Sequence, residues 1–322
     1  MGRTRIQDVA GRAGVSTATV SLVLRDRPGP SAVTRERVRA AAAALGYRPD
    51  RRASLLARHR SHLLGVVLDV TSPFHTDLVR HLDERAADHG LDLVLSTIGP
   101  RRDEREAVAT LQDFRCEALV LLGPTEPDDY LRALDAVCPV VVVGRSAGGD
   151  AVLADDGAAL EQVVAHLVGR GHERIAYVDG PRGPIATARR RGYRAAMRRH
   201  GLDDRHSVVP GGDSESAGLR AGGRLLAATD PPTAVAAFND RCALGVREAL
   251  VRAGRRVPED LALVGIDDSP LARLDTVALT SVSQDPAAQA RAAVRAVVRR
   301  LDGGPPAGTV VLSPRLVVRG SS

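Results

Sequence analysis

Three polar clusters stand directly after short aliphatic runs: Asp69 to His75 after LLGVVL, Asn239-Asp240 after TAVAAF, and Asp267-Asp268 after LALVGI. Carboxylates, amides and an imidazole at such places either move protons for catalysis or hold a polar ligand by hydrogen bonds. The usual catalytic signatures are missing. No GxGxxG follows the first run, HExxH does not occur, and a GxxxxGK[ST] loop is impossible because the chain has no lysine. The nine histidines are scattered; His59 and His62 fall in a linker, and His172 sits between a helix and a strand, where a structural role is expected. Cys116, Cys138 and Cys242 lie far apart without CxxC spacing, so neither a disulfide framework nor a zinc site is expected. The expectation is a ligand-binding, non-enzymatic body without metal or cofactor.

Charge supplies a second chemistry. Residues 1–60 carry 13 Arg against four acids, Asp8, Asp26, Glu36 and Asp50, for a net +9, whereas residues 61–322 are net −3. Every one of the 45 basic residues is Arg, so abundance alone carries little weight, but its concentration at one end describes a polyanion-binding head on a near-neutral body.

The elements that must position these groups follow from periodicity. Ile6, Val9, Ala10 and Ala13 recur at helical spacing, Gly14 interrupts, and Ser16 caps a second set at Val20, Val23 and Leu24. A third helix is predicted from about Ala32 to Leu45, with Ser31 as N-cap and Gly46 as its stop. Small Ala10 and Ala13 permit a close crossing, and the three helices describe a helix-turn-helix module. Thr17, Ala18, Ser21 and Leu22 point outward, and their small size suits a helix lying in a major groove about 12 Å wide. Arg3, Arg5, Arg25, Arg27 and Arg35 are placed to take phosphates, which orient the helix without reading sequence.

Beyond a linker containing a Pro break, five Arg and the Leu55-Leu56 knot, the runs 63–69, 92–96, 117–122, 139–143, 174–179, 233–238 and 261–267 read as buried strands alternating with helices. Such repetition predicts parallel doubly wound sheets, and about 260 residues divide naturally into two lobes. Ligands bind such sheets outside the carboxyl ends of the strands, where the three polar clusters fall. With 44% hydrophobic residues, no Trp, three Phe and four Tyr, the core must be aliphatic. The opening residues are polar and basic, and no apolar run approaches the roughly 18 residues of a membrane span, so a soluble, cytoplasmic protein is expected.

DVAGRAGVSTATVSLVL (8–24) followed by VTRERVRAAAAALGYRPD (33–50) resembles the head of the lactose-repressor/galactose-repressor family of bacterial transcription regulators. The resemblance continues over essentially the whole chain. It implies an all-α helix-turn-helix head at 1–48, a hinge helix at 49–61, and a two-lobed α/β body at 62–322 similar to periplasmic sugar-binding proteins. The first lobe is expected over about 62–158 plus 287–322 and the second over about 159–286. It also implies a homodimer on a near-palindromic operator in double-stranded DNA, controlled by a sugar or related small metabolite. Leu56 matches the leucine that wedges into the minor groove. The motifs TSPFH, ATARRRGYRAAM, AAFNDRCALG, VGIDD and SVSQD place Ser72, Phe74, His75, Arg189, Asn239, Asp240, Asp267 and Gln284 in the effector pocket. Three departures stand out: Leu22 replaces a common Arg, favouring an apolar contact such as a thymine methyl, Asp50 replaces a frequent Asn and changes only a helix cap, and Ser214 replaces a frequent aromatic residue. The alternative is a two-lobed enzyme or binding protein for sugars or nucleosides without a regulatory DNA role; the helix-turn-helix argues against it.

Overall fold

The computed structural model describes residues 4–24, 26–47 and 60–322, which fall into two compact units, Met1–Ser61 and His62–Ser322. Arg3, Arg25, Asp50, Leu56 and the expected hinge helix lie outside the described residues.

In the first unit, helices α1 (Ile6–Ala13), α2 (Thr17–Leu24) and α3 (Ala32–Ala44) form as the periodicity requires. Ser16 Oγ accepts from the Thr19 N–H at 3.2 Å, and Ser31 Oγ from that of Thr34 at 3.3 Å. Each such cap is worth about 1 kcal/mol. Gly14 ends α1 at φ +62°, a left-handed conformation that costs glycine nothing. Val9, Ala10, Ala13, Val20, Val23, Val38, Ala41 and Ala42 form the small core.

The second unit contains two parallel-stranded sheets. The first sheet comprises β1 (Leu63–Asp69), β2 (Asp92–Ile98), β3 (Ala118–Leu122), β4 (Val140–Val143), β5 (Asp150–Ala154) and β11 (Thr309–Leu312). Its order is β11-β5-β4-β3-β1-β2. On one face lie α4 (Pro73–Ala87) and α11 (Pro286–Leu301), and on the other α5 (Glu104–Asp113) and α6 (Asp128–Asp135). The second sheet holds β6 (Ile175–Val178), β7 (Ser207–Val209), β8 (Ala234–Ala237), β9 (Ala262–Ile266), β10 (Thr280–Ser283) and β12 (Arg315–Val317). Its order is β12-β10-β9-β8-β6-β7, with β12 alone antiparallel. It packs α7 (Asp156–Gly169) and α8 (Pro184–Arg199) on one face and α9 (Glu215–Leu226) and α10 (Asp240–Arg252) on the other. Strands covered on both faces are buried throughout, which is why they read as unbroken aliphatic runs.

The chain crosses between lobes three times, after β5, β10 and β11. One expected boundary is corrected: residues after Leu312 belong to the second lobe, not the first. There β12 pairs with β10, and Ser321 Oγ donates to the Leu263 carbonyl at 2.6 Å while its own carbonyl accepts from the Leu263 N–H.

Candidate functional site

In the helical unit, Thr17, Ala18 and Leu22 are exposed on α2 and Ser21 is half-buried beside them, while Val20 and Val23 turn into the core. Leu22 is 40% exposed, a large apolar side chain on an otherwise small-residue surface. Arg5 is exposed at the start of α1, where its backbone N–H donates to Asp8 Oδ2 at 2.7 Å. Arg27 is exposed as well. Arg35 is committed internally: its guanidinium donates to the carbonyls of Arg27 and Pro30 and approaches Asp26. It is therefore less available to a phosphate than the sequence suggested.

In the body, the two sheets present their carboxyl ends to a cavity of about 230 Å³ lying between the lobes. Its walls come from loops after β1, β3 and β4 on one side and after β6, β8 and β9 on the other. The strand order reverses direction between β1 and β3 and between β6 and β8, so two switch points contribute to one site. Ile185 crosses from the second lobe; its Cδ1 stands 3.1 Å from where a Cβ on Gly144 would sit and 3.6 Å from that on Gly123.

Seven of the eight expected pocket residues line this cavity: Ser72, Phe74, His75, Arg189, Asn239, Asp267 and Gln284. Ser72 and Asn239 also cap helices, accepting from the N–H groups of His75 and Cys242. Asp240 is the exception. It is buried behind the wall, where its carboxylate accepts from the Ser269 N–H at 2.7 Å and from Ser281 Oγ at 2.6 Å. As the first residue of α10 it turns toward β9 and β10, and its hydrogen-bonding oxygens are occupied.

Arg189 is the buried centre. Its Nε donates to Asp156 Oδ1 at 3.0 Å and its Nη1 to the Phe238 carbonyl at 2.6 Å, and the guanidinium lies 4.7 Å from the Phe238 ring centroid. Nη2 makes no hydrogen bond among the described residues. Asp267, held at φ +121° with its N–H on the Val282 carbonyl, accepts from Gln284 Nε2 at 2.7 Å. Burial pushes its carboxyl well above the ordinary range; Arg189 and the Gln284 bond oppose that shift, and nearby Asp240 adds to it. His75 Nδ1 accepts from the Asp69 N–H at 3.1 Å, which puts the neutral ring's proton on Nε2. Burial holds its pKa down against the pull of Asp69.

Several lining groups were not singled out from sequence. Asp156 opens α7 directly after β5, a strand whose short DAVLA run gave no signal. Arg241 follows Asn239-Asp240 and was overlooked, although it faces the cavity that Asp240 avoids. Phe238 joins Phe74 as aromatic wall, whereas Ser214 caps α9 through the Ala217 N–H and does not line the cavity. The arrangement offers the planar cations of Arg182, Arg189 and Arg241, fixed carboxylates, amides and aromatic faces, the set that orients a small polyhydroxylated molecule. No group of three or more His, Cys, Asp or Glu able to hold a metal occurs among the described residues, nor does a helix long and apolar enough to cross a membrane.

A family of bacterial regulatory proteins, the lacI family, matches residues 5–50, and a periplasmic binding protein-like domain matches residues 164–322. The chain is 34% identical over 306 residues to the ribose operon repressor of Escherichia coli strain K12, covering 92% of each. Among solved structures, it is similar to a LacI transcriptional regulator from a Rhodococcus species, at 45% identity and TM-score 0.78, covering 81% of this chain and 98% of that one. It is likewise similar to the lac repressor dimer bound to operator and an anti-inducer, at 29% identity and TM-score 0.86, covering 99% of both.

Proposed function

The chain belongs to the lacI family of bacterial transcriptional regulators, and from that premise we propose that it is a homodimeric repressor whose affinity for a near-palindromic operator is set by a small sugar. The observation that carries the effector half is Arg189: a buried guanidinium with two donors committed to Asp156 and Phe238 and a third edge free at the cavity. A hydroxylated ring would take that edge while Asp267 and Gln284 bind its hydroxyls, and Phe74 or Phe238 would face its C–H surface. A cavity of about 230 Å³ lies below the roughly 300–1,000 Å³ of drug-sized pockets, in keeping with a single sugar ring. The name of the ribose operon repressor supports the same class.

On the DNA side, Thr17, Ala18, Ser21 and Leu22 read base edges, while Arg5, Arg25 and Arg27 take phosphates. Two recognition helices in a dimer reach half-sites about 34–36 Å apart, and Leu56 enters the minor groove between them. Effector control requires only that the sugar bind one lobe arrangement more tightly than the other. No catalytic step is part of this reading, and the place of action is the cytoplasm.

The test is Arg189→Lys, which keeps the charge but loses the planar fork whose separate nitrogens reach Asp156, the Phe238 carbonyl and the cavity. Thermal shift of the full chain against aldopentoses and aldohexoses should find a sugar that raises the melting temperature of the parent. The variant should lose that response and still bind operator DNA in a mobility-shift assay. A variant that keeps the full sugar response refutes the assignment of Arg189.

A further inference from the structure

A chain of hydrogen bonds spans the mouth of the cleft. From α10, Arg241 grips Glu215 with Nε and Nη2, at 2.9 and 2.7 Å, and extends Nη1 to Thr71 Oγ1 in the opposite lobe at 3.3 Å. The Thr71 hydroxyl in turn donates to Asp69 Oδ1 at 2.8 Å, and the same oxygen accepts from the Thr71 N–H at 2.8 Å. Each atom uses its ordinary capacity: the hydroxyl accepts once and donates once, the guanidinium only donates, and a carboxylate closes each end. Among the described residues this is the side-chain hydrogen bond that joins the lips of the cleft away from the three crossovers.

Both ends are held still before they meet. On the second lobe, α9 and α10 cross at backbone contact: a Cβ on Gly245 would lie 2.0 Å from the Glu215 carbonyl oxygen, and one on Gly218 would lie 2.0 Å from that of Cys242. This close crossing sets Glu215 beside Arg241, and a bidentate carboxylate fixes the guanidinium plane. On the first lobe, the turn after β1 is fastened by Asp69 and by the Asp69 N–H on His75 Nδ1.

We propose that Arg241 and Thr71 form the closure latch of the effector cleft, positioning residues that populate the closed arrangement before any ligand arrives. The link to a ligand rests on the effector reading above; the latch itself does not. A binding-competent state that is only fractionally populated weakens apparent affinity by that fraction, so a preformed latch strengthens effector binding. It also carries closure information: the cavity wall of the first lobe, through Asp69 and His75, is tied to α10 of the second only while the bridge stands.

Pulsed electron paramagnetic resonance on the full chain, with nitroxides at Arg101→Cys and Arg220→Cys on exposed positions of the two lobes, reads lobe separation without DNA or ligand. Dilution with unlabelled chain restricts the distances to one protomer. The parent should populate the shorter, closed separation. Thr71→Val, isosteric and exposed, should raise the open-to-closed ratio about fivefold, the equivalent of one net hydrogen bond. Thr71→Ser should keep the parent distribution, Arg241→Gln should open as Thr71→Val does, and the double variant should open no further than either. An unchanged distribution in Thr71→Val, an open one in Thr71→Ser, additive effects in the double variant, or a parent that is already open would overturn the latch and leave the operator reading standing.

Discussion

Replacing Arg189 by Met isolates the most consequential buried charge in the effector lobe. Met fills much of the volume beside Phe238 but supplies no donor. The change strands Asp156, whose side chain is only 14% exposed, and frees the Phe238 carbonyl. Removing one partner of a buried ion pair costs about 3–5 kcal/mol, because the remaining charge stays desolvated. At roughly 2–4 °C per kcal/mol for a domain of this size, the melting temperature of the full chain should fall by about 6–20 °C. The cost should also depend on pH, with a sign fixed by Asp267. Arg189 pulls that carboxyl's raised pKa back down, so its loss raises it further. A carboxyl whose pKa is higher in the folded state favours folding least once pH has passed from its unfolded value, about 4, up through the folded one. The deficit of Arg189→Met should therefore stay level through acid, where Asp267 is protonated in both folded proteins, and grow as pH rises through and beyond the parent's raised folded value. Adding Asp156→Asn removes the stranded charge and should recover about 2 kcal/mol, measurable by urea denaturation as a non-additive cycle. A melting temperature within 2 °C of the parent, or additive single costs, would refute the account of Arg189 as a buried, paired cation.

Three further outcomes are expected. Leu22→Arg should shift operator preference toward guanine at one position per half-site, by about 1–3 kcal/mol in competitive mobility shifts, because a bidentate donor replaces an apolar contact. Arg5→Gln and Arg27→Gln should each weaken binding alike on all sequences and reduce the slope of log affinity against log salt by about one, as expected of phosphate contacts. Gly245→Ala should cost at least about 3 kcal/mol in thermal melting, since the new methyl meets backbone of α9, whereas Gly223→Ala, with nothing within 4 Å, should be neutral or slightly stabilising.

The helical unit was legible because each of its devices is local: a serine three residues before the amide it caps, a glycine at the turn, and apolar residues on one face. Six of the seven strands read from sequence were legible for a related reason, since burial on both faces leaves an unbroken apolar run of four or more residues, whereas β2, a partly exposed edge strand, showed only Leu93-Val94-Leu95. Of the strands that escaped, β5 carries a short AVLA run and β7, β10, β11 and β12 carry none. β10 is TSVS, yet it is buried, because Thr280 and Ser281 give their hydroxyls to the chain's last segment and to Asp240. Its polarity hid a core strand. β11 and β12 lie at sheet edges with exposed side chains, and only long-range pairing defines them; this is also why the tail was assigned to the wrong lobe.

Asp240 and Arg241 show where strand-end reasoning stops. It locates a loop at the mouth of a sheet, but successive residues in the first helical turn differ by about 100° in direction, so neighbours face opposite ways. Asn239 caps, Asp240 turns inward, and Arg241 turns to the cleft. The buried Asp240 still shapes the site it does not line. Its carboxylate is fixed on Ser269 and Ser281, which anchors the loop carrying Asp267 and Asp268 against β10. The same charge stands behind Asp267 and makes ionisation there harder. A ligand that donates a hydrogen bond to Asp267 relieves a charge that Asp240 destabilises and Arg189 only partly compensates. Asp240, expected at direct contact, thus bears on the cavity through the electrostatics of its neighbour.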